Sequence, residues 1–369
     1  MKKLNFAIIG CGRISYKHLR AINELRDNAN LVAVCDIVEE KASAKAKEHL
    51  VPYYLDYHEM MQKHPEIDVV SVLVPSGHHA SVVVDIAQYG RHIITEKPMA
   101  LKVEDCDSMI RACKDAGIHL FVIYQNRYNL AVRAAKDEFE KGKFGKIVLS
   151  SVRVRWCRKQ EYYDMDNWHG TWELDGGVIS QQATHHIDLM QYFCGEVESL
   201  NCISATRLLD IEVEDTAAAI LRFKSGAIGV FEATVGARPK DLEGSLSVLG
   251  ENGNVVIGGH AVNEIKSWSF VNEEEGNLEM ILKNPSEKIE NIYGNGHSPN
   301  IYDIIQVIQK KKQSSMVCDG KQGKRNIEIL TAMYESTFCN GLAIKPGAKV
   351  IYSPLGKKKR DISLTGYGI

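Results

Sequence analysis

Several function classes are set aside by what the sequence lacks. No stretch approaches the roughly 18 apolar residues needed to span a bilayer. The apolar run at 4–9 is too short for a secretory signal and is followed by glycine and Arg13 instead of a small-residue cleavage site, so it reads as a buried strand. Charge of one sign is also missing: 45 Lys and Arg stand against 47 Asp and Glu, a net charge of −2. That balance offers no electrostatic footprint for nucleic acid, and the one basic run, Lys357 to Arg360, is short enough to be a solvated surface. Nine cysteines are scattered without a C-x-x-C pair. An odd, dispersed set reads as reduced core thiols in a cytoplasm, not as disulfides or zinc ligands. There is no internal repeat and no low-complexity linker.

What is present is a change of rhythm near residue 126. Before it, short apolar runs at 4–9, 31–36, 68–75, 92–98 and 119–126 alternate with helical stretches at 15–26, 39–49, 78–90 and 104–116. Alternation at this pitch predicts right-handed βαβ units around a parallel sheet. After it, a helix at 130–141 leads into long alternating runs at 146–156, 199–208, 215–235 and 244–259. Lys224-Ser225-Gly226 and Glu251-Asn252-Gly253 supply hairpin turns between them, so this sheet is antiparallel. A helical segment falls at 176–194 and two more helices at about 299–312 and 322–340. The chain is too long for one ordinary core. The expected fold class is α/β: a doubly wound parallel sheet over residues 1–126, then an α+β domain with an open antiparallel sheet over 127–369.

The first strand ends in Gly10-Cys11-Gly12-Arg13-Ile14-Ser15, a G-x-G-x-x-S turn. The first glycine permits the tight turn and the second lets backbone approach a pyrophosphate; the following helix N-terminus offers N–H donors. Ser15 replaces the third glycine but is small enough for close helix–strand packing. Asp36 ends the second strand, where a carboxylate accepts bonds from adenosine ribose hydroxyls and repels a 2′-phosphate. A Rossmann domain that prefers NAD over NADP follows, with a purely structural turn and an N-capping aspartate as the alternative.

These residues, with VPSGHH at 74–79, Glu96-Lys97-Pro98 within TEKPMA at 95–100, and GGVISQQATHHIDL at 176–189, resemble the glucose–fructose oxidoreductase/inositol dehydrogenase (Gfo/Idh/MocA) family. The resemblance runs over nearly the whole chain, to a late helix ending in Tyr334-Glu335-Ser336. It implies that NAD contacts Gly10, Gly12, Arg13, Ile14, Asp36, Pro75, Ser76, His79, Glu96 and Lys97. Lys97 follows a parallel strand at the carboxyl edge, where doubly wound sheets bind ligands. Pro98 fixes that loop, with a cis peptide as one option. An ammonium there can polarise a carbonyl or shuttle a hydroxyl proton. His185 takes the family's catalytic histidine position, beside His186. The family commonly has an aspartate four residues earlier, where this chain has Gln181; an amide exchanges no proton, so base duty shifts to His185 and Lys97 and Gln181 orients substrate.

Segment 153–177 is dense in Arg, Tyr and Trp, and such groups stack on rings and bind phosphate bidentately. Within the family it is similar to nucleotide-sugar members that oxidise the 3-hydroxyl of UDP-N-acetyl-2-amino-2-deoxyglucuronate in bacterial surface-polysaccharide pathways. Arg127, Arg155 and Arg158 would then meet the uronate or diphosphate, and Tyr162, Tyr163 and Trp168 the rings, with Lys97, Gln181, His185 and His186 at the sugar. A sheet-edge or oligomer contact is the bland alternative for this segment. A dehydrogenase of a free polyol such as myo-inositol and a non-enzymatic NAD-sensing protein are the competing functions. Some relatives reoxidise bound NAD with 2-oxoglutarate, which becomes a second expected partner. One face of the long strands needs cover, so a homotetramer is expected.

Overall fold

The apolar runs of the first third line up as one sheet in the computed structural model, which describes residues 3–271, 286–287, 289, 291, 293–311, 316–349 and 351–362. Strands β1 (Leu4–Ile9), β2 (Ala29–Cys35), β3 (Tyr53–Tyr54), β4 (Val69–Val72), β5 (His92–Thr95) and β6 (Leu120–Val122) are mutually parallel, in the order β6-β5-β4-β1-β2-β3. Phe6, Ile8, Val69, Val70 and Val72 are sealed from solvent. Burial on both faces explains why these strands read as continuous apolar runs. Helix α1 (Ser15–Glu24) turns His18, Leu19, Ala21 and Ile22 inward, the three- and four-residue spacing of a buried stripe. Helices α2 (Glu39–His49), α3 (Tyr57–Lys63), α4 (His79–Ile86) and α5 (Val103–Asp115) complete the alternation.

The chain divides into two units: Met1–Tyr124 with Gly296–Lys324, and Gln125–Asn295 with Arg325–Ile369. The first unit gives way to the second after Tyr124, and the second does not hold everything beyond that point, as the expected division at 126 had it. Segment 296–324 returns to the first unit. There Ile301, Ile304 and Ile305 of a late helix (His297–Ile308) join Ile8, Leu19 and Ile22 in one core, and strand Cys318–Asp319 pairs antiparallel with β6. The helical stripe was legible; which core it fills was not.

The second unit holds α6 (Leu130–Glu140), β7 (Ile147–Arg155), α7 (Gln160–Tyr163), α8 (Thr184–Cys194), β8 (Val197–Ala205), β9 (Thr216–Phe223), β10 (Ile228–Thr234), β11 (Glu243–Gly250), β12 (Gly253–Gly258) and β13 (Glu264–Phe270). Its sheet runs β13-β12-β11-β7-β10-β9-β8, antiparallel except for the β7–β10 pair. Strict alternation sets its two faces. Phe231 and Ala233 are buried on the side where Met190 of α8 lies against Gly229. On the other side Ile203, Ile220, Ile228 and Val230 are exposed. With the two late helices introduced in chain order, His297–Ile308 is α9 and Gly320–Phe338 is α10. No helix among the described residues is long and apolar enough to cross a membrane.

Candidate active site

In the first unit the predicted cofactor residues stand at the carboxyl ends of β1, β2, β4 and β5. Gly10 has φ +100°, and a Cβ there would lie 2.7 Å from the Leu73 carbonyl, so only glycine serves. Gly12 has open space where a Cβ would be. Arg13 and Ile14 complete the turn, and Ser15, wholly buried, donates its hydroxyl hydrogen to the Gly12 carbonyl at 2.7 Å. The Asp36 carboxylate accepts from the Cys11 N–H at 2.7 Å and the Val38 N–H at 2.9 Å. It therefore shapes the glycine turn while keeping lone pairs for a ligand. Burial, then the Asp36 charge, pushes the Cys11 thiol up to about 12, so it stays a neutral packing group.

Pro75 and Ser76 open a single turn after β4, and the ring nitrogens of buried His79 lie 2.9 Å from the carbonyl oxygens of Val74 and Pro98. His79 thus laces two loops together instead of facing a cofactor. Glu96 follows β5, and the Lys97–Pro98 peptide is cis. One Glu96 oxygen accepts from the Lys97 N–H at 3.1 Å; the other lies 3.0 Å from His18 Nε2 and 3.3 Å from His297 Nε2. Both oxygens are held by the protein, which makes Glu96 an organiser of the Lys97 loop. The turn, the open space at Gly12 and the Asp36 carboxylate fit a dinucleotide.

In the second unit a π-helical turn, Val178–Gln182, precedes α8. Such turns recur at functional sites. Glu214, distant in sequence, braces it: its buried carboxyl accepts from the Ile179 N–H at 2.8 Å and the Tyr334 hydroxyl at 2.9 Å, and its carbonyl from the Val178 N–H at 3.0 Å. A Cβ on Gly177 would sit 2.3 Å from Glu214. Burial pushes the Glu214 carboxyl up to about 8 against those hydrogen bonds, so it is largely protonated at neutral pH. Buried Asp175 accepts from Gly170 N–H at 2.7 Å and from the Gln181 amide at 2.5 Å. Gln181 is aimed by Asp175, and His185 stands on the first turn of α8, 5% exposed.

Its neighbour His186 is fully enclosed, its ring edge-on to Trp156 at 5.8 Å. Burial pushes its pKa down to about 3, so it is a neutral core group without reach to a substrate. Two of the arginines expected at an anion are engaged by carboxylates of the protein. Arg127 is buried against Asp188. Arg155 pairs with Glu232 at 2.6 Å and Glu243 at 3.4 Å, on the sheet face opposite α8 because its neighbour Val154 points into the core. Arg158, Tyr162, Tyr163 and Trp168 do come together. The Arg158 guanidinium lies 5.4 Å from the Trp156 ring and 5.6 Å from Tyr162, and pairs with Asp241 at 3.1 Å. Tyr162 meets Tyr163 edge-on, and Trp168 lies 3.7 Å from His169. Sequence reasoning missed Asp175, Glu214 and His169; the one available signal was an acidic pair, Glu214-Asp215, heading an alternating strand.

Residues 4–124 match the model described as an oxidoreductase family with an NAD-binding Rossmann fold, and residues 132–256 match the Gfo/Idh/MocA C-terminal domain. The chain belongs to the Gfo/Idh/MocA family. It is an NAD-dependent oxidoreductase, and its relatives include sugar and polyol dehydrogenases. The WlbA dehydrogenase of Bordetella pertussis, solved with NADH and UDP-GlcNAcA, is 36% identical at a TM-score of 0.87, covering 94% of this chain and 99% of that one. The WlbA enzyme of Chromobacterium violaceum, solved with the same two ligands, is 36% identical at a TM-score of 0.86, covering 95% of this chain and 97% of that one. Myo-inositol 2-dehydrogenase of Thermotoga maritima is 29% identical over 237 residues, 62% of this chain and 68% of that protein.

Proposed function

We propose that this Gfo/Idh/MocA protein oxidises the 3-hydroxyl of a UDP-linked 2-acetamido sugar, with UDP-N-acetylglucosaminuronate as the substrate. The observation that carries this is the 36% identity, over nearly the full length, to two enzymes solved with UDP-GlcNAcA. The cluster of Arg158, Tyr162, Tyr163 and Trp168 supports it, because aromatic rings beside a guanidinium suit a base or sugar next to an anion. The alternative, a free polyol, is favoured by the similarity to myo-inositol 2-dehydrogenase.

NAD, when bound, accepts the hydride leaving C3. The chain's own groups handle the proton. Lys97 or His185 takes the 3-hydroxyl proton as the carbon becomes a ketone, and Gln181, which cannot exchange a proton, orients the sugar. Asp36 receives the adenosine ribose hydroxyls. Arg158 is the candidate for the diphosphate or uronate because its guanidinium stands beside the Trp156 and Tyr162 rings; like Arg127 and Arg155 it also pairs with a carboxylate, Asp241 at 3.1 Å. The exposed strip of Ile203, Ile220, Ile228 and Val230 supports assembly through the open sheet face, in a homotetramer. Reoxidation of NADH by 2-oxoglutarate belongs to the same proposal. A thermal-shift screen tests the reading: NAD-loaded protein should gain stability from UDP-GlcNAcA and none from myo-inositol, and the reverse ranking would select the free polyol.

A further inference from the structure

Glu96 is a carboxylate taken out of water. It is 5% exposed, and stripping a charge of solvent costs several kcal/mol unless hydrogen bonds replace it. Three N–H groups do so: the Lys97 amide on one oxygen, and the Nε2 atoms of His18 and His297 on the other. Burial alone would raise its pKa, but the hydrogen bonds and charges of the two histidines outweigh it and hold the carboxyl well below its ordinary value. The two imidazoles come from distant places, the first half of α1 and the first residue of α9, and meet edge-on with centroids 5.7 Å apart.

Among the described residues neither Nδ1 has a hydrogen-bond partner, and the Nε2 of each ring is turned to Glu96. Burying two half-satisfied imidazoles costs stability, and a stripe residue such as leucine would pack the same positions more simply. What the arrangement adds is a fixed anion, one residue before Lys97, that receives the Lys97 N–H.

We propose that His18 and His297 are positioning residues for Lys97, acting through Glu96. The inference rests on the reading of Lys97 as catalytic and deepens it. His18 lies on the helix that begins just after the glycine turn. It therefore connects the dinucleotide-binding turn to the loop carrying the amine, and His297 closes the arrangement from the far end of the sequence. Two histidines and a carboxylate within 4.8 Å of one another are also a divalent-metal donor set. The separations of 3.0 and 3.3 Å are those of N–H···O bonds.

The test uses the full-length, NAD-loaded protein with His18→Leu, His297→Leu, and the matching His→Gln variants, whose amide nitrogen stands near the lost Nε2. Amide hydrogen exchange over residues 95–99 should quicken in the leucine variants and return towards wild type in the glutamine ones. Turnover on UDP-GlcNAcA should follow, falling roughly 10- to 100-fold in kcat, the scale of a misplaced proton-transfer group, while the KM for NAD moves less than about threefold. Should the leucine variants fail to fold, the glutamine variants and Glu96→Gln decide it. Glutamine at 18 and 297 must keep near wild-type kcat, and Glu96→Gln must quicken exchange. Unchanged exchange at 95–99, a kcat loss that glutamine does not restore, or one equivalent of zinc that His18→Gln releases would each overturn the proposal. Lys97→Ala at wild-type turnover would sink only the catalytic reading, and the exchange data would still judge the histidines.

Discussion

Arg127 and Asp188 face each other as a two-pronged buried pair, with Nε donating to Oδ2 at 2.7 Å and Nη2 to Oδ1 at 2.5 Å. Asn326 adds a bond to Oδ1 at 2.8 Å, and the guanidinium lies 4.9 Å from the Tyr192 ring. Asp188 is one turn beyond His185 on α8. The pair therefore fastens the helix that carries the histidine, and Arg127 acts as an anchor of that helix.

Removing one partner should show this. Asp188→Ala strands a buried cation, and breaking such a pair costs about 3–5 kcal/mol. Urea unfolding should place the midpoint correspondingly lower. A midpoint at the wild-type value would mean that the pair is structurally idle.

Asp36 should decide between the dinucleotides. Wild-type protein is expected to bind NAD at least tenfold tighter than NADP, and Asp36→Ser should erase most of that preference, a change of about 1.4 kcal/mol or more. Calorimetric titration measures both. Equal affinities in the wild type would remove Asp36 from the ribose site.

The Glu214 carboxyl makes stability fall with pH in a defined window. Its folded pKa, about 8, lies above the unfolded carboxylate value, so the folded state holds a proton that the unfolded state releases. That contribution is complete below the unfolded value of about 4.3 and is lost as pH rises to 8, at about 1.4 kcal/mol per pH unit. Glu214→Gln should flatten the curve over this range. An identical pH dependence in the variant would show that Glu214 is already ionised in the fold.

These groups mark where the sequence stopped being readable. The glycine turn, Asp36 and the Glu96-Lys97-Pro98 loop were legible because each sits next to a strand whose own apolar run announces it. The partners of Arg127 and Arg155 were not: Asp188 is 61 residues away and Glu232 is 77, and the choice between ligand and carboxylate depends on packing. His297 meets Glu96 across 201 residues, through α9, whose stripe of isoleucines would suit either core. Arg155 was further misread because its strand alternates, which puts it on the face away from Val154. His186 follows His185 directly on a helix and so points about 100° away, into the core.

Lys97→Ala and His185→Ala should each lower turnover roughly 100-fold, the usual scale for proton-transfer groups, with NAD affinity nearly unchanged. His186→Ala should cost stability more than turnover. Initial rates and a thermal melt separate these effects; wild-type turnover in Lys97→Ala would contradict its assignment.

The mass of the product decides which sugar is the substrate. Purified protein, NAD and 2-oxoglutarate are incubated with UDP-GlcNAcA or with myo-inositol, and each sugar is followed by mass spectrometry. UDP-GlcNAcA is expected to lose two hydrogens, with the new ketone at C3, while myo-inositol is untouched. Conversion of myo-inositol with UDP-GlcNAcA left intact would contradict it.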